Sequence, residues 1–577
     1  MYYGTRNDWE EVDILWTLEV SYLGEQYRFA TITLDLVDGD GKSYPYVSGL
    51  EDVVVSTSLQ KVGDISAEAD SVSIAITFPD KNIAKLQMDG KFIENSHAKI
   101  GYVLMKNGEI ETQYDNRPII FQGIITGPVY GHPNRPQGYV EFSIENKAMI
   151  SSQGLLATIL GENMYIEDVS CSNALYVSPE WPQDRGLTEV QDIHRGKVIP
   201  WVFGELQAVQ HSSGSTSSIP ITPAYAIAYD PAAAQKPVYY LACGHVTNAN
   251  TVNLFSNTGE TDTGTISTFV NIDNRTLTYF SIPNSSHIPQ SVAANDDREV
   301  WVEWDDGGAY PNPVGEGNLQ GGGDICLWLL SELTTDVDYD AWNSLRPFLN
   351  QYLFAGYVND DKITVFQWLQ KNVVAYLPIH IVNGPNGLKP VIDMFQSQVD
   401  IQPRLSITEG TEFQRVGPVV SLNTPEDVSN VVTVRYAMNG VVEDYSTFVQ
   451  VSNKIPAAGT LSSISYIAHP KSMISIQRYG EKKKVVELDF CYDNATAQRI
   501  AQDILEQEAL PTKSIQYSVS IRYGYLVLGD IVEITDEEIG LYSQKAQIIS
   551  KLFDDGRWIL DVKIDDNPMT WNRNVET

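Results

Sequence analysis

The sequence predicts a multidomain, mainly β protein with smaller α+β parts. Its 577 residues are enough for roughly three to five domains, each with its own core. Hydrophobic residues make up 43% of the chain, and tyrosine (31 residues) and glycine (41 residues) are frequent, which is typical of globular, strand-rich proteins. Short runs of β-branched and aromatic residues, separated by turn-forming residues, recur from residue 14 to residue 147.

The charge balance is strongly acidic. The chain carries 39 basic and 74 acidic residues, a formal net charge of −35 at pH 7. A protein that neutralised DNA phosphates would present the opposite balance on its binding face. The charge therefore argues against specific nucleic-acid binding, and its simplest role is solubility.

No targeting or membrane segment is expected. The first 11 residues are polar and acidic, without the apolar core of a secretory signal, and apolar runs such as 325–330 are too short to span a bilayer. The cysteines show no metal-site spacing and predict buried free thiols in a protein folded in a reducing cytosol, with a single long-range disulfide left open. They are Cys171, Cys243, Cys326 and Cys491.

Residues 1–149 are predicted to form an all-β domain, either a barrel or a sandwich. Turn chemistry separates its apolar runs, for example at Asp38-Gly39-Asp40-Gly41. The predicted strands are 15–22, 27–36, 52–59, 71–78, 98–105, 118–125 and 139–144.

Residues 150–206 are a predicted connector with one buried strand, and residues 207–324 are a predicted inserted β domain. The connector strand lies in the Gly- and Pro-edged run 196–204. A Ser/Gly tract at 212–218 and a Gly-rich tract at 307–323 are typical of flexible joints around an insertion. The predicted strands of the insertion are 237–243, 251–256, 264–272, 276–282 and 299–304.

Residues 325–429 are predicted to form an α+β middle domain. The segments 325–333, 339–352 and 363–371 have the apolar spacing of helices. We expect Asp338 or Asp340 to cap the second helix, Asp361 or Thr364 to cap the third, and Pro347 to kink or split the second. A hairpin with strands at 375–382 and 388–392 follows.

Residues 430–577 are predicted to form a small, closed or nearly closed β-barrel with one packed helix. The helix, 495–509, repeats Ala and Ile on one face, is capped by Asp493 or Asn494, and stops before Pro511. The predicted strands are 431–436, 515–521, 530–534, 545–551 and 557–564.

Several of these segments resemble phage tail hub proteins, the baseplate hubs of long-tailed bacteriophages and gene-transfer particles. Ser-Ile-Gln-Arg-Tyr-Gly at 475–480, the Ala/Ile-rich helix, Leu-Gly-Asp-Ile-Val at 528–532 and the final hairpin are similar to the second tube barrel of a hub. The runs 70–74 and 120–125 resemble its N-terminal tube barrel, 196–204 resembles a hub connector strand, and 388–392 resembles the middle hub domain. The insertion at 207–324 has no counterpart in this resemblance.

The resemblance implies a structural protein of the virion, made in the host cytoplasm, with one tube-like barrel at each end of the chain. Three copies would form a ring of six barrels that continues the tail tube, with a tail tube or distal tail protein above and tip, fibre or other baseplate proteins below. DNA would pass through an acidic lumen without specific binding. The alternative is a β-rich polysaccharide-degrading or carbohydrate-binding tail protein, but a β-helical depolymerase would show a fixed-period repeat, and none is present in the sequence.

No catalytic, cofactor or metal site is predicted, and no enzymatic activity. No two of the eight histidines are three or four residues apart, and neither a Gly-x-Ser-x-Gly motif nor a phosphate-binding glycine loop is present. The run at 38–42 begins like a calcium loop, but Lys42 stands where a third ligand belongs, so a hairpin turn is predicted.

Two acidic clusters are weaker candidates. Glu303, Asp305 and Asp306 flank Trp304 and have the residue types of a glycosidase site, but a strand end that runs into the Gly307-Gly308 loop is the simpler interpretation. The tract at 536–538, Asp-Glu-Glu, is predicted to be a solvated hairpin tip, which in a hub would face the pore or a neighbouring subunit.

Overall fold

The computed structural model describes twenty-eight stretches of the chain. These are residues 12–22, 24–58, 71–77, 93–110, 113–130, 134–135, 138–145, 201–204, 209–210, 216–217, 222–230, 236–243, 245–246, 251–256, 261–272, 275–281, 300–302, 307–308, 312–358, 362–384, 386–395, 403–408, 413–422, 424–441, 443–452, 464–467, 469–554 and 557–565. Among them, strands predominate, which confirms the mainly β part of the predicted fold class. None of the helices described combines the length and apolar character that a membrane span requires.

The N-terminal region is built from ten strands and a 3-10 turn at Tyr114–Asn116. Buried and exposed residues alternate in Leu34–Val37, so one face of this strand packs on a core and the other faces solvent. The strands are β1 (Val12–Tyr22), β2 (Glu25–Ala30), β3 (Leu34–Val37), β4 (Ser43–Ser48), β5 (Leu50–Ser58), β6 (Ser71–Thr77), β7 (His97–Lys106), β8 (Glu109–Ile110), β9 (Ile119–Tyr130) and β10 (Tyr139–Glu145).

Described strands between residues 222 and 302 form a closed six-stranded barrel in the order β14-β15-β19-β18-β17-β20. Thr222–Asp230 was not predicted as a strand because its alanines have low strand propensity. The strands of this part of the chain are β11 (Trp201–Phe203), β12 (Val209–Gln210), β13 (Thr216–Ser217), β14 (Thr222–Asp230), β15 (Lys236–Cys243), β16 (His245–Val246), β17 (Thr251–Ser256), β18 (Thr261–Ile272), β19 (Arg275–Ser281), β20 (Val300–Val302) and β21 (Gly307–Gly308).

The middle region has the three predicted helices and the predicted hairpin. Its elements are α1 (Gly322–Leu333), α2 (Tyr339–Leu349), β22 (Gly356–Val358), α3 (Val365–Asn372), β23 (Ile379–Gly384) and β24 (Gly387–Ile392). Asp338 caps α2 by accepting from Ala341 N, and Thr364 caps α3 in a capping box with Gln367, so both predicted caps are confirmed. Pro347 lies inside α2, close to its end. The connector strand β11 pairs antiparallel with β22.

Among the described residues, seven strands and two helices precede the last four strands. They are β25 (Leu405–Thr408), β26 (Phe413–Arg415), β27 (Val420–Ser421), β28 (Val431–Asn439), β29 (Asp444–Val451), β30 (Ile464–Ile467), α4 (Pro470–Tyr479), β31 (Lys483–Glu487) and α5 (Asn494–Glu508). Asp493 caps α5 by accepting from Thr496 N, as predicted. The Ser-Ile-Gln-Arg-Tyr run lies in α4, and Gly480 follows it with a φ of 75°.

The last four strands are β32 (Thr512–Val519), β33 (Ile531–Asp536), β34 (Leu541–Asp554) and β35 (Arg557–Asp565). A 3-10 turn at Ile521–Tyr525 separates the first two. The four strands join β1–β10 and β25–β27 in one sheet of 17 strands. Both ends of the chain therefore belong to a single hydrogen-bonded sheet.

Two large hydrophobic cores lie within the described residues, and the segment from β28 to β35 contributes to both. The sheet β30-β29-β28-β31 and the apolar face of α5 share a core with the middle region. Strands β32–β35 instead share a core, which we call the seam core, with β1, β7, β9 and β10. The periodicity of α5 predicts that it has a buried face but not which strands that face covers, so local signals did not place this division.

Candidate functional site: the seam between the two ends of the chain

The feature that joins the two ends is an antiparallel pairing between β5 and β34. Ser58 lies opposite Ser550, Thr57 opposite Lys551, and the next pair is one residue further along each strand. The Thr57 hydroxyl donates to the Lys551 carbonyl at 3.5 Å. We call this pairing the seam. It brings together residues 494 positions apart in the sequence.

Four aromatic rings fill the core beside the seam. Trp16 and Tyr102 come from β1 and β7, and Phe553 and Trp558 come from β34 and β35. Ring centroids are 5.2 Å apart for Trp16–Phe553, 6.2 Å for Trp16–Trp558 and 6.3 Å for Tyr102–Trp558. The two Trp16 contacts are edge-to-face, and such contacts add to the stabilisation that large rings provide by burying apolar area. The seam is therefore a packed core between the two ends and not only a backbone contact.

A buried lysine lies in this core. The Lys551 ammonium donates to the Gly524 carbonyl at 2.5 Å and to the Leu526 carbonyl at 2.8 Å, and it lies 4.0 Å from the centre of the Trp558 ring. Burial lowers the pKa of Lys551 to about 7. A Cβ on Gly524 would approach the Tyr102 hydroxyl to 2.2 Å, so only glycine allows this close approach.

The N-terminal region contains a distinctive turn before β7. Ser96 N donates to Ile93 O at 3.1 Å, Asn95 N donates to Ile125 O at 2.9 Å, and Ile125 N donates back to Ser96 O at 2.9 Å. Asn95 has a φ of 64°, in the left-handed region that asparagine tolerates better than most residues. The turn therefore fixes the start of β7 against the middle of β9.

The same turn occurs before β33, in the C-terminal region. Asp530 N donates to Val527 O at 3.1 Å, Gly529 N donates to Ile548 O at 2.8 Å, and Ile548 N donates to Asp530 O at 3.0 Å. Gly529 has a φ of 81°. Each hydrogen bond and the left-handed residue have a counterpart in the first turn, although the residues at most of these positions differ.

The strands that follow the two turns repeat as well. The neighbours β7-β9-β10-β6-β5 are all antiparallel, and so are β33-β34-β35-β32 with β26 and β27. β9 and β34 each carry a bulge opposite the next strand, shortly after the residue that binds the turn. We call these two sets the N-terminal unit and the C-terminal unit. Matching residues along the sequence did not detect this duplication.

The middle hairpin covers the C-terminal unit. A Cβ on Gly529 would lie 2.2 Å from Val391 Cγ1, which shows how closely β24 approaches the turn. The side chain of Gln547 on β34 donates to the Ile392 carbonyl at 3.0 Å. The same hairpin reaches the N-terminal unit through Asn383, whose side chain donates to the Gln122 carbonyl at 2.8 Å.

A buried charged cluster fixes this hairpin to β35. Asp393, which is fully buried, accepts from the Lys563 ammonium at 2.7 Å and lies 3.4 Å from His380 Nε2. Burial alone would raise the pKa of Asp393, but the charge of Lys563 and the His380 contact outweigh it and hold the pKa well below its usual range. Phe395 N also donates to Asp393 at 3.0 Å. The carboxylate therefore ties three segments together as an anion.

The predicted calcium-like run at 38–42 is a turn. Asp38 accepts from Asp40 N at 3.0 Å and Lys42 N at 2.8 Å, and the Tyr44 hydroxyl donates to it at 3.0 Å. Its carboxylate oxygens therefore serve the turn itself, in agreement with the predicted hairpin. In the part of the chain that the structure describes, no group of three or more His, Cys, Asp or Glu side chains could hold a metal ion.

The predicted solvated tip at 536–538 is only partly solvated. Asp536 is fully buried and accepts from the Tyr517 hydroxyl at 3.0 Å, with Arg415 Nε at 3.3 Å. Glu538 is exposed and also pairs with Arg415. The sequence could not show that Arg415 of β26 would lie beside this turn. The carboxylates at 303, 305 and 306 lie outside the described residues.

Two histidines lie beside carboxylates, and two cysteines are buried. His97 lies 3.5 Å from Asp336, and His469 lies 2.9 Å from Glu506. Cys326 is buried and free, and so is Cys491; burial raises the pKa of both thiols. This agrees with the predicted buried thiols at these two positions.

Comparison with known proteins gives one family match. Residues 464–548 match the family described as "Putative phage tail protein". This segment runs from β30 across α4, β31 and α5 into β34, and so crosses from the middle core to the seam core. No curated protein matches the chain.

Solved structures of tail proteins are similar in extent but distant. A tail protein from Neisseria meningitidis has 10% identity and a TM-score of 0.35, with 95% of this chain and 97% of that chain covered. The 43 kDa tail protein of prophage MuSo2 from Shewanella oneidensis has 10% identity and a TM-score of 0.33, with 96% and 100% covered. Prophage tail protein gp18 from Listeria monocytogenes has 8% identity and a TM-score of 0.31, with 97% and 96% covered.

Proposed function

We propose that this chain is a structural, non-enzymatic tail hub of a bacteriophage-like particle. The observation that carries the proposal is the seam, which joins two copies of one strand unit edge to edge within a single chain. The family match at residues 464–548 supports a place in a phage tail. Repetition of the same edge contact between chains would produce a closed ring, because a heterologous contact closes when its rotation divides a full turn.

The resemblance to tail hubs implies three copies, and two units per chain agree with that number. Three chains would supply six units, which matches a six-fold tail tube and continues it towards tip, fibre or other baseplate proteins. The net charge of −35 suits a lumen through which DNA passes, because an acidic wall repels phosphate and leaves the duplex free to move.

Electron-microscopy class averages of the purified protein, and of particles that contain it, test this proposal. We expect three-fold rings with a pore wide enough for duplex DNA, located where the tail tube meets the tip. Lateral appendages without a pore would overturn it. Shortening of a host polysaccharide by the purified chain would instead favour the polysaccharide-degrading alternative, with the closed barrel of the insertion as the first region to delete.

A further inference from the structure

Among the described residues, a single chain leaves one strand edge open in each unit. In the C-terminal unit, β26 and β27 pair with β32 and with no other strand among the described residues. In the N-terminal unit, residues 126–130 of β9 pair only with β10 within the same described set. In the seam, by contrast, the corresponding edges, β5 and the end of β34, pair with each other.

The turn gives the correspondence between β9 and β34. Ile125 and Ile548 make the same two hydrogen bonds to their turns, so they occupy equivalent positions. Leu552, which lies in the seam, is four residues after Ile548. Val129 is four residues after Ile125, and each of these intervals contains one bulge. Val129 therefore corresponds to Leu552.

The rows across the sheet give the correspondence between β5 and β27. Val72 and Ile125 lie two strands apart and pair with the same residue of the strand between them. Ile515 and Ile548 are related in the same way. The residues before them, Ser71 and Ser514, pair with Ser56 and Val420 respectively. Ser56 is the residue opposite Leu552 in the seam, so Val420 corresponds to Ser56.

We infer that β27 of one copy pairs antiparallel with the end of β9 of a second copy, with Val420 opposite Val129. The surface chemistry agrees with this register, because the two valines are 52% and 55% exposed in the single chain. Val416, Val419 and Leu422 around β27 are exposed as well, and an apolar open edge of this kind is what a second strand covers. This pairing rests on the proposed function. It specifies which strands meet between neighbouring copies, and it takes only the number of copies from the proposed ring.

Cross-linking between two single-cysteine variants tests the register. Val129→Cys and Val420→Cys are made separately in a background with Cys171→Ser and Cys243→Ser, mixed, and treated with a mild oxidant or a short bis-maleimide. Side chains directly opposite in an antiparallel pair have Cβ atoms about 4.5–5.5 Å apart, within reach of either treatment. We expect a covalent dimer in the mixture and none with either variant alone.

The matched control is Val47→Cys mixed with Val420→Cys, because Val47 is also exposed but lies on β4, outside the proposed register. Equal cross-linking of the control pair, or a dimer from Val420→Cys alone, would overturn the pairing. So would the absence of a dimer from the mixture. Val420→Lys provides a second variant, since a charge on an open edge should abolish association while circular dichroism shows an unchanged fold.

Images of the cross-linked product separate this inference from the proposed function. Closed three-fold rings would support both. Cross-linked dimers that associate into open chains would keep the strand pairing and reject the ring. Rings that form without the Val129–Val420 cross-link would keep the ring and reject the pairing.

Discussion

Each end of the chain contains a copy of the same strand unit, but the two copies differ in the segments that cover them. In the C-terminal unit, Gly529 lies against Val391 of the middle hairpin, and β34 is paired along its end with β5. In the N-terminal unit, the equivalent Asn95 is exposed, and the end of β9 has only β10 beside it among the described strands. Among the described residues, the chain therefore covers the turn and the end of β34 in its C-terminal unit, whereas it leaves the equivalent turn and the end of β9 uncovered in its N-terminal unit.

Removal of the buried carboxylate that holds the hairpin should have the largest effect. Asp393→Ala leaves Lys563 buried without its partner, which should lower the free energy of unfolding by about 3–5 kcal/mol. Chemical denaturation of both proteins measures this loss. Asp444→Ala is the matched control, because its pair with Arg435 is exposed and 3.7 Å long, and should cost at most about 1 kcal/mol. Equal losses for the two variants would mean that the Asp393 cluster does not fix the hairpin.

The pH dependence of this cluster has a definite direction. The folded-state pKa of Asp393 lies below its unfolded value of about 3.9, so its contribution to stability is complete above that pH. The contribution is lost as the pH falls further, towards the folded pKa. Asp393→Ala should therefore flatten the acid limb of the stability curve.

A methyl group at Gly529 should have the next largest effect. Gly529→Ala brings Cβ to 2.2 Å from Val391 Cγ1 at a φ of 81°, and this overpacking should cost about 1–3 kcal/mol beyond the backbone strain. Gly540→Ala separates the two causes, since Gly540 has a similar φ of 74° but open space around its Cβ position. Equal shifts of the denaturation midpoint in both variants would show that steric contact with the hairpin does not contribute to the cost at Gly529.

Local signals predicted most elements but not the relation between the two ends. The caps at Asp338, Thr364 and Asp493 were predictable because a cap depends on residues within one helical turn. The repeated turn was not, because Asn95 and Gly529 satisfy the same left-handed backbone with different side chains. The repeat consists of backbone hydrogen bonds, which residues with different side chains can form equally well.

The seam itself also had no sequence signal. Ser56, Thr57 and Ser58 are ordinary strand residues, and their partner strand lies almost the whole chain away. The burial of Lys551 was also not predictable, because a lysine in a strand normally indicates a solvent-facing position. Its burial follows from the aromatic core that forms only when both ends meet.

Lys551 should give the seam a pH dependence of intermediate size. Its folded-state pKa of about 7 lies below the unfolded value of about 10.4, so the unfolded chain binds more protons between these values. The free energy of unfolding should therefore rise with pH, by about 2 kcal/mol from pH 7 to pH 9 relative to Lys551→Met. Denaturation at pH 7, 8 and 9 measures the difference, with Lys545→Met as the exposed control. If the free energies of unfolding of wild type and Lys551→Met change in parallel with pH, the pKa of Lys551 is not lowered by burial.

The smallest effect should come from the exposed turn, and it tests the repeat directly. Asn95→Gly supplies the residue found at the equivalent position of the C-terminal unit and should change the free energy of unfolding by no more than about 0.5 kcal/mol, because glycine accepts the left-handed backbone. Asn95→Ala lacks that tolerance and should cost about 1–2 kcal/mol. Equal free energies of unfolding for the alanine and glycine variants would show that Asn95 does not adopt the left-handed turn of Gly529. The equivalence of the two turns, from which the register of Val129 opposite Val420 is derived, would then be wrong.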